Sequence, residues 1–223
     1  FNIIMLTETW YIDDCDFFVL PGYNHFYLNR DYGRGGGVSL QSNFSDLEVV
    51  PDYTIMTRDY EILCVRGKDC IYSVFYRPPG GNVSIFYNLL EELFCFANEE
   101  RCKLFLGGDL NINLLEESRV RDDFLILLTS NNFCNFINSP TRVTSSSSTL
   151  LDVFVTNQEV SSVSAGVLEY SLSDHLPIFM LINNITNRKN EFENENGRTI
   201  RIRSINSATL EKFRETISNT NWD

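Results

Sequence analysis

Eight short segments dense in β-branched and aromatic residues limit what this chain can fold into more than any other feature. They run Ile3 to Thr7, Val38 to Gln41, Glu61 to Arg66, Ile71 to Tyr76, Lys103 to Leu106, Leu151 to Thr156, Ser164 to Leu168 and Ile178 to Ile182, and each reads as a strand. Helical periodicity is confined to two stretches. Val83 to Asn98 sets Ile85, Phe86, Leu89, Leu90, Leu93, Phe94 and Phe96 at helical spacing around Glu91, Glu92, Glu99 and Glu100, and Val120 to Leu128 repeats the pattern behind Asp122 and Asp123. Many strands with two long helices predict two packed sheets with helices outside them, not a regular βαβ alternation. Gly33 to Gly37, Pro78-Pro79-Gly80-Gly81, Gly107-Gly108 and Ser145 to Ser148 mark the turns.

From about Asn183 the chain becomes polar and charged, through Asn187-Arg188-Lys189-Asn190 and Glu191 to Gly197. The reading places one domain at 1–183 and a polar linker with a short helix near Ala208 to Ser218 in 184–223. A total of 223 residues is enough for one sizeable core. No apolar run approaches the roughly 18 residues of a membrane helix, and the opening Phe1-Asn2-Ile3-Ile4-Met5-Leu6 lacks the basic flank and cleavage site of a secretory signal. That opening reads as a strand cut from something longer. The six cysteines show no Cys-x-x-Cys pair and no histidines at zinc-finger spacing, so reduced thiols in an intracellular protein are expected. A net charge of −12 argues against a general electrostatic nucleic-acid binder.

Four strings place acid or amide side chains at strand ends, where a rigid sheet can hold catalytic groups. In Leu6-Thr7-Glu8-Thr9-Trp10 an apolar strand runs into a carboxylate; alone, such a Glu is ordinarily a solvated turn residue. In Leu106-Gly107-Gly108-Asp109-Leu110-Asn111-Ile112-Asn113 the glycines permit close approach of another backbone. Asp109 and Asn111 then either point to one side of an extended segment or close an Asx-type turn. Asp152 interrupts the apolar strand Leu150-Leu151-Asp152-Val153-Phe154-Val155 and so needs a partner. In Ser173-Asp174-His175-Leu176-Pro177-Ile178 an Asp-His pair precedes a strand, and His is the side chain most readily poised for proton transfer near neutral pH. Each pair has a structural reading as well. His25, in the aromatic loop Tyr23-Asn24-His25-Phe26-Tyr27, reads as packing or surface.

In this order, Glu-Thr-Trp, Gly-Asp-Leu-Asn-Ile-Asn, Leu-Leu-Asp and Ser-Asp-His-Leu-Pro-Ile resemble the motifs of the endonuclease/exonuclease/phosphatase superfamily, which includes the AP-endonuclease-like enzymes. Arg34-Gly35-Gly36-Gly37-Val38 and Tyr76-Arg77-Pro78-Pro79-Gly80 are similar to strings of the endonucleases encoded by non-LTR (LINE-type) retrotransposons, especially Jockey- and CR1-like ones. The resemblance covers roughly residues 1 to 183. It implies a DNase I-like α/β (α+β) fold, a four-layer sandwich of two mostly antiparallel sheets flanked by helices.

The resemblance also implies roles. Glu8 matches the principal Mg²⁺ ligand, with Mn²⁺ as an alternative ion, and Asp174 a further acid near the metal. Asp109 matches the acid that orients and helps deprotonate the attacking water, and Asn111 the amide that steadies phosphoryl oxygens. His175 matches the histidine against the scissile phosphate, with Asp152 as its carboxylate partner, and Tyr76 the tyrosine placed against that phosphate. Thr141, Arg77 and Asn113 are expected substrate contacts. The implied activity is nicking of double-stranded DNA in the nucleus to give a 3′-hydroxyl primer for target-primed reverse transcription. Element RNA would be a partner through a downstream reverse transcriptase, and no membrane partner is implied. A hard cation preferring carboxylate oxygens reconciles that activity with the negative charge. The family has an earlier strand bearing an Asn of the metal site, and this sequence starts after it. An unpaired sheet edge and a metal site short of one neighbour are therefore expected. Competing readings are a phosphatase of the same superfamily and an inert or repurposed nucleic-acid- or protein-binding remnant.

Overall fold

Strands with apolar residues on both faces need cover on both sides, and the centre of this fold supplies it. A computed structural model describes residues 1–12, 18–31, 35–170 and 173–183, all within the compact unit Phe1–Ile185. The expected linker and the helix near Ala208 to Ser218, together with Cys15, Arg34 and Ser171, lie outside the described residues. In chain order the elements are β1 (Ile3–Thr7), β2 (Asn24–Leu28), β3 (Val38–Ser42), β4 (Glu48–Val49), β5 (Ile55–Met56), β6 (Glu61–Arg66), β7 (Cys70–Tyr76) and α1 (Val83–Glu99). They continue with β8 (Lys103–Asp109), α2 (Arg119–Ser130), β9 (Cys134–Asn135), β10 (Arg142–Val143), β11 (Ser148–Thr149), β12 (Asp152–Thr156), β13 (Val163–Val167) and β14 (Ile178–Ile182).

The main sheet has seven strands in the order β4-β6-β7-β8-β12-β9, with β5 also on β6. Every pairing in it is antiparallel except β7 with β8, which are joined by the crossover helix α1. The second layer is in two pieces, β1-β3-β2 and β13-β14. Within the first piece β1 pairs with β3 alone, so among the described strands its other edge is open. Strand alternation separates two cores. Ile62, Cys64, Ile71, Phe75, Leu104, Leu106, Val153 and Val155 face the helices, whereas Leu63, Val65, Val74 and Tyr76 pack with Val38 and Leu40 of the smaller sheet.

Asn82 starts α1 by accepting from the Ser84 and Ile85 amides, and the helix buries Phe86, Leu89, Leu90, Leu93, Phe94 and Ala97. Phe94 stacks on Phe133 with centroids 4.2 Å apart, tying α1 to the segment after α2. No helix among the described residues is long and apolar enough to cross a membrane. The described cysteines, Cys64, Cys70, Cys95, Cys102 and Cys134, are free thiols.

Six strands lie outside the eight expected: the two-residue strands β4, β5, β9, β10 and β11, and the longer β2. Asn24–Leu28, within what reads as an aromatic loop, is β2: it pairs along its whole length with β3 and sets Phe26 and Leu28 against the second core. It is led by Asn24 and His25, and only Phe26 and Leu28 supply its partly buried apolar positions, so the period is hidden.

Gly108 fixes the approach of β7 to β8, because a Cβ there would fall on the Phe75 carbonyl oxygen. Backbone cannot yield as a flexible side chain does. Gly108→Ala should lower the unfolding free energy by about 1–3 kcal/mol, the usual cost of overpacking; a denaturation midpoint equal to the parent's would show that the two strands are not so tightly apposed.

Candidate active site

Register alone carries four polar side chains into a row across the main sheet. Glu61 on β6 lies opposite Tyr76 on β7, Tyr76 opposite Asp109 on β8, and Asp109 opposite Asp152 on β12. Directly paired residues share a face, and this is the face covered by the smaller sheet. Glu8 follows the end of β1, which packs over β7 and β8. His175 enters from the segment before β14, bridged to Arg142, with the Leu176 amide donating to the Thr141 carbonyl at 2.6 Å.

Asp152 finds its partner in His175, whose Nδ1 lies 2.9 Å from Asp152 Oδ2. The hydrogen bond and charge of Asp152 raise the His175 pKa against the effect of burial. With Nδ1 against the carboxylate, Nε2 is the ring nitrogen left for a substrate.

At Asp109 the chain does not continue extended. Asn111 turns to φ 51°, its amide donates to Asp109 Oδ1 at 2.8 Å, and its Nδ2 donates to Asp109 Oδ2 at 2.9 Å and to the Arg77 carbonyl at 3.0 Å. Asp109 and Asn111 thus meet through an Asx-type turn, in a left-handed conformation that Asn tolerates. The bonds made by Nδ2 hold the acid in place. Burial, then the nearby Asp152 charge, push Asp109 up to about 7.

Tyr76 and Glu8 meet from opposite layers. Burial first, then the hydrogen bond to Glu8, raise the Tyr76 phenol. Below them Glu61, fully buried, pairs with Arg30 and accepts from the Gly37 amide at 2.6 Å; burial still pushes its pKa up. The Arg30 guanidinium lies 5.8 Å from the Tyr76 ring centroid. Neither Glu61 nor Arg30 was among the residues expected in the site. The available signal was an acid opening the apolar run Glu61-Ile62-Leu63-Cys64-Val65, the same anomaly that singled out Asp152.

The three residues expected as substrate contacts each bond to backbone. Arg77 is 2% exposed and donates to the carbonyls of Leu110, Gly81 and Asn111. Thr141 is fully buried, its hydroxyl accepting from the Leu151 and Asp152 amides at 3.1 Å each. Asn113 Oδ1 accepts from the Leu115 and Leu150 amides. All three fix the loops that carry Asp109, Asn111 and Asp152. Asp174 lies at the rim, 2.8 Å from Arg142, which lowers its pKa.

Among the described residues the tight grouping of candidate metal ligands is Asp109, Asp152 and His175, with ligand atoms within 4.8 Å of one another. Glu8 and Asp174 lie outside that grouping. Two carboxylates give hard oxygen donors and the imidazole a borderline nitrogen, all within 4.8 Å, so the donor set fits a divalent cation.

Residues 2–175 match the sequence profile of the Endonuclease/Exonuclease/phosphatase family. No curated protein matches the chain. Among solved structures, the endonuclease domain of TRAS1, a telomere-specific non-LTR retrotransposon, superposes with TM-score 0.62 at 16% identity, covering 83% of this chain and 87% of that one. The 3′ phosphatase NExo from Neisseria, bound to product DNA hairpin, gives 0.61 at 15%, covering 81% and 88%. The 3′-5′ exonuclease NExo from Neisseria meningitidis gives 0.62 at 14%, covering 82% and 89%. At these identities the likeness shows the fold, a mixed α/β arrangement of packed, mostly antiparallel sheets with few helices.

A carboxyl whose folded pKa is raised favours folding fully below its unfolded value near 3.9 and loses that contribution as pH rises through about 7. Asp109→Asn cannot titrate. In metal-free protein the thermal midpoint of Asp109→Asn minus that of the parent should therefore increase from pH 4 to pH 8; a flat or falling difference would mean that Asp109 ionises without penalty.

Proposed function

The chain belongs to the endonuclease/exonuclease/phosphatase family, and we propose that within it this domain is a divalent-metal-dependent DNA endonuclease of a non-LTR retroelement. Such an enzyme would cut one strand of double-stranded DNA and leave a 3′-hydroxyl able to prime reverse transcription. The observation that carries the hydrolytic part is the Asp152–His175 pair facing the Asp109–Asn111 turn, with Glu8 reaching Tyr76 beside them. Support for the retroelement comes from the Gly35-Gly36-Gly37-Val38 and Tyr76-Arg77-Pro78-Pro79-Gly80 strings and from the shared fold of the TRAS1 domain.

In this reading Asp109, titrating near neutrality, accepts the proton of a water that attacks phosphorus in line. Asn111 keeps the acid aimed. His175, with its pKa raised by Asp152, places a cation against the phosphoryl oxygens as negative charge grows, and Tyr76 lies alongside. The P–O3′ bond breaks, O3′ takes a proton from solvent and leaves as the 3′-hydroxyl, and the other fragment keeps a 5′-phosphate. Bound Mg²⁺ or Mn²⁺ would supply Lewis acidity and offset the acid cluster. Glu8 and Asp174 would be its oxygen ligands, Asp174 by exchanging Arg142, while Asp109 stays the group that takes the proton. With a net charge of −12, the expected affinity for DNA is weak and strongly salt-dependent. The proposed setting is the nucleus, with residues 184–223 leading toward a reverse transcriptase that brings the element's RNA.

Relaxation of supercoiled plasmid in Mg²⁺ or Mn²⁺ tests this. The parent should nick, and Asp109→Ala or His175→Ala should slow nicking by at least about 100-fold, the loss usual for a general base or a charge-stabilising group. Hydrolysis of small phosphomonoesters without nicking would favour the phosphatase reading, and neither activity would favour a binding remnant.

A further inference from the structure

The glycine triplet Gly35-Gly36-Gly37 is unused by the chemistry above, yet all three residues adopt left-handed φ, at 83°, 76° and 86°. Their purpose is visible in what lies on them. A Cβ on Gly35 would lie 3.4 Å from the Trp10 indole, and one on Gly36 would coincide with the Arg30 guanidinium. Gly35 therefore lies against the Trp10 ring, while Gly36 makes room for Arg30 and Gly37 for Thr9. Backbone bonds lock Trp10 there, with Trp10 N–H donating to the Gly36 carbonyl at 2.9 Å and Thr9 N–H to the Gly37 carbonyl at 3.2 Å.

Trp10 is itself strained, at φ 55°, and Glu8 beside it is at φ 50°. Positive φ is an outlier for a bulky residue, and such strain persists only where the surroundings over-determine it, characteristically at functional sites. The indole Nε1 donates to Glu8 Oε2 at 3.2 Å, so the ring adjoins the acidic centre, yet 49% of the residue is exposed. Two features therefore coincide: a large apolar ring held rigidly at the rim, and a protein whose charge repels the phosphates it is proposed to cleave. Stacking against a nucleobase is indifferent to that repulsion.

We infer that Trp10, seated on Gly35, is a substrate contact that stacks on a nucleobase or its edge next to the scissile phosphate. The inference rests on the DNA-cleaving reading and adds the residue that retains the substrate there. Arg30 contributes through Gly36 by holding the seat, a positioning role.

The chain has two tryptophans, so Trp222→Phe leaves Trp10 as the single fluorophore. In a His175→Ala, Trp222→Phe background with Mg²⁺, a short DNA duplex should quench Trp10 emission saturably. In the His175 parent, Trp10→Ala should raise KM for plasmid about tenfold, as loss of one stacked base does, while Trp10→Phe keeps KM within about threefold of the parent, because the stacking face remains. Unchanged fluorescence on duplex binding, measured in parallel by anisotropy of the labelled DNA, would overturn the inference. So would parental KM in Trp10→Ala, with both variants reduced in kcat alone, since Trp10 would then only orient Glu8. Failure of the parent to nick plasmid counts against the catalytic reading, whereas the fluorescence titration tests the contact independently of cleavage.

Discussion

Everything at the candidate site depends on the hydrogen-bond register of four neighbouring strands. Glu61, Tyr76, Asp109 and Asp152 are far apart in sequence, yet β6, β7, β8 and β12 pair so that they stand in one line on one face. A slip of one residue in β8 would turn Asp109 toward the helices and Gly108 toward the cleft. Gly108 resists any such slip, since only a residue without a side chain fits against the Phe75 carbonyl. The buried Arg77 then seals the ends of the strands through three carbonyl bonds.

The row is electrostatically uneasy. Asp109 and Asp152 face each other across a strand pair in a largely buried setting, and Asp109 responds by holding its proton to about 7. Asp152 is compensated by His175, and Glu61 by Arg30. Among the described residues the buried Asp109 has no such directly bonded cation, whereas Glu8 is exposed. Burial of a carboxylate without compensation is costly, and a cleft arranged this way suits a ligand that brings positive charge. The left-handed φ of Glu8 and Asn111 adds local strain at the same place. Stability and function pull against each other here.

Periodicity made much of this legible in the sequence. All eight expected strands and both helices are present, because each has a long enough apolar run or a buried stripe to declare its period. The order of motifs pointed to the superfamily and so to the layers. β2 escaped because Asn24 and His25 open it and only Phe26 and Leu28 supply its partly buried apolar positions. Its identity as a strand comes from pairing with β3, which is non-local information.

At the site, residue types were easier to read than roles. Asp152 announced a partner by being an acid in an apolar strand, and His175 is that partner. Arg77, Thr141 and Asn113 were readable as polar motif residues but not as the backbone-bonding groups they are, because a motif names side chains without their partners. The Arg30–Glu61 pair required knowing that the end of β2 crosses the start of β6. The most direct test of the converging row is paramagnetic broadening by substoichiometric Mn²⁺ in isotope-labelled protein. Broadening should centre on Glu8, Asp109, Asn111 and His175 and leave Glu91, Glu92 and Asp122 on the helices sharp. Equal broadening over the acidic helix surfaces, with the His175 ring unaffected, would contradict the account.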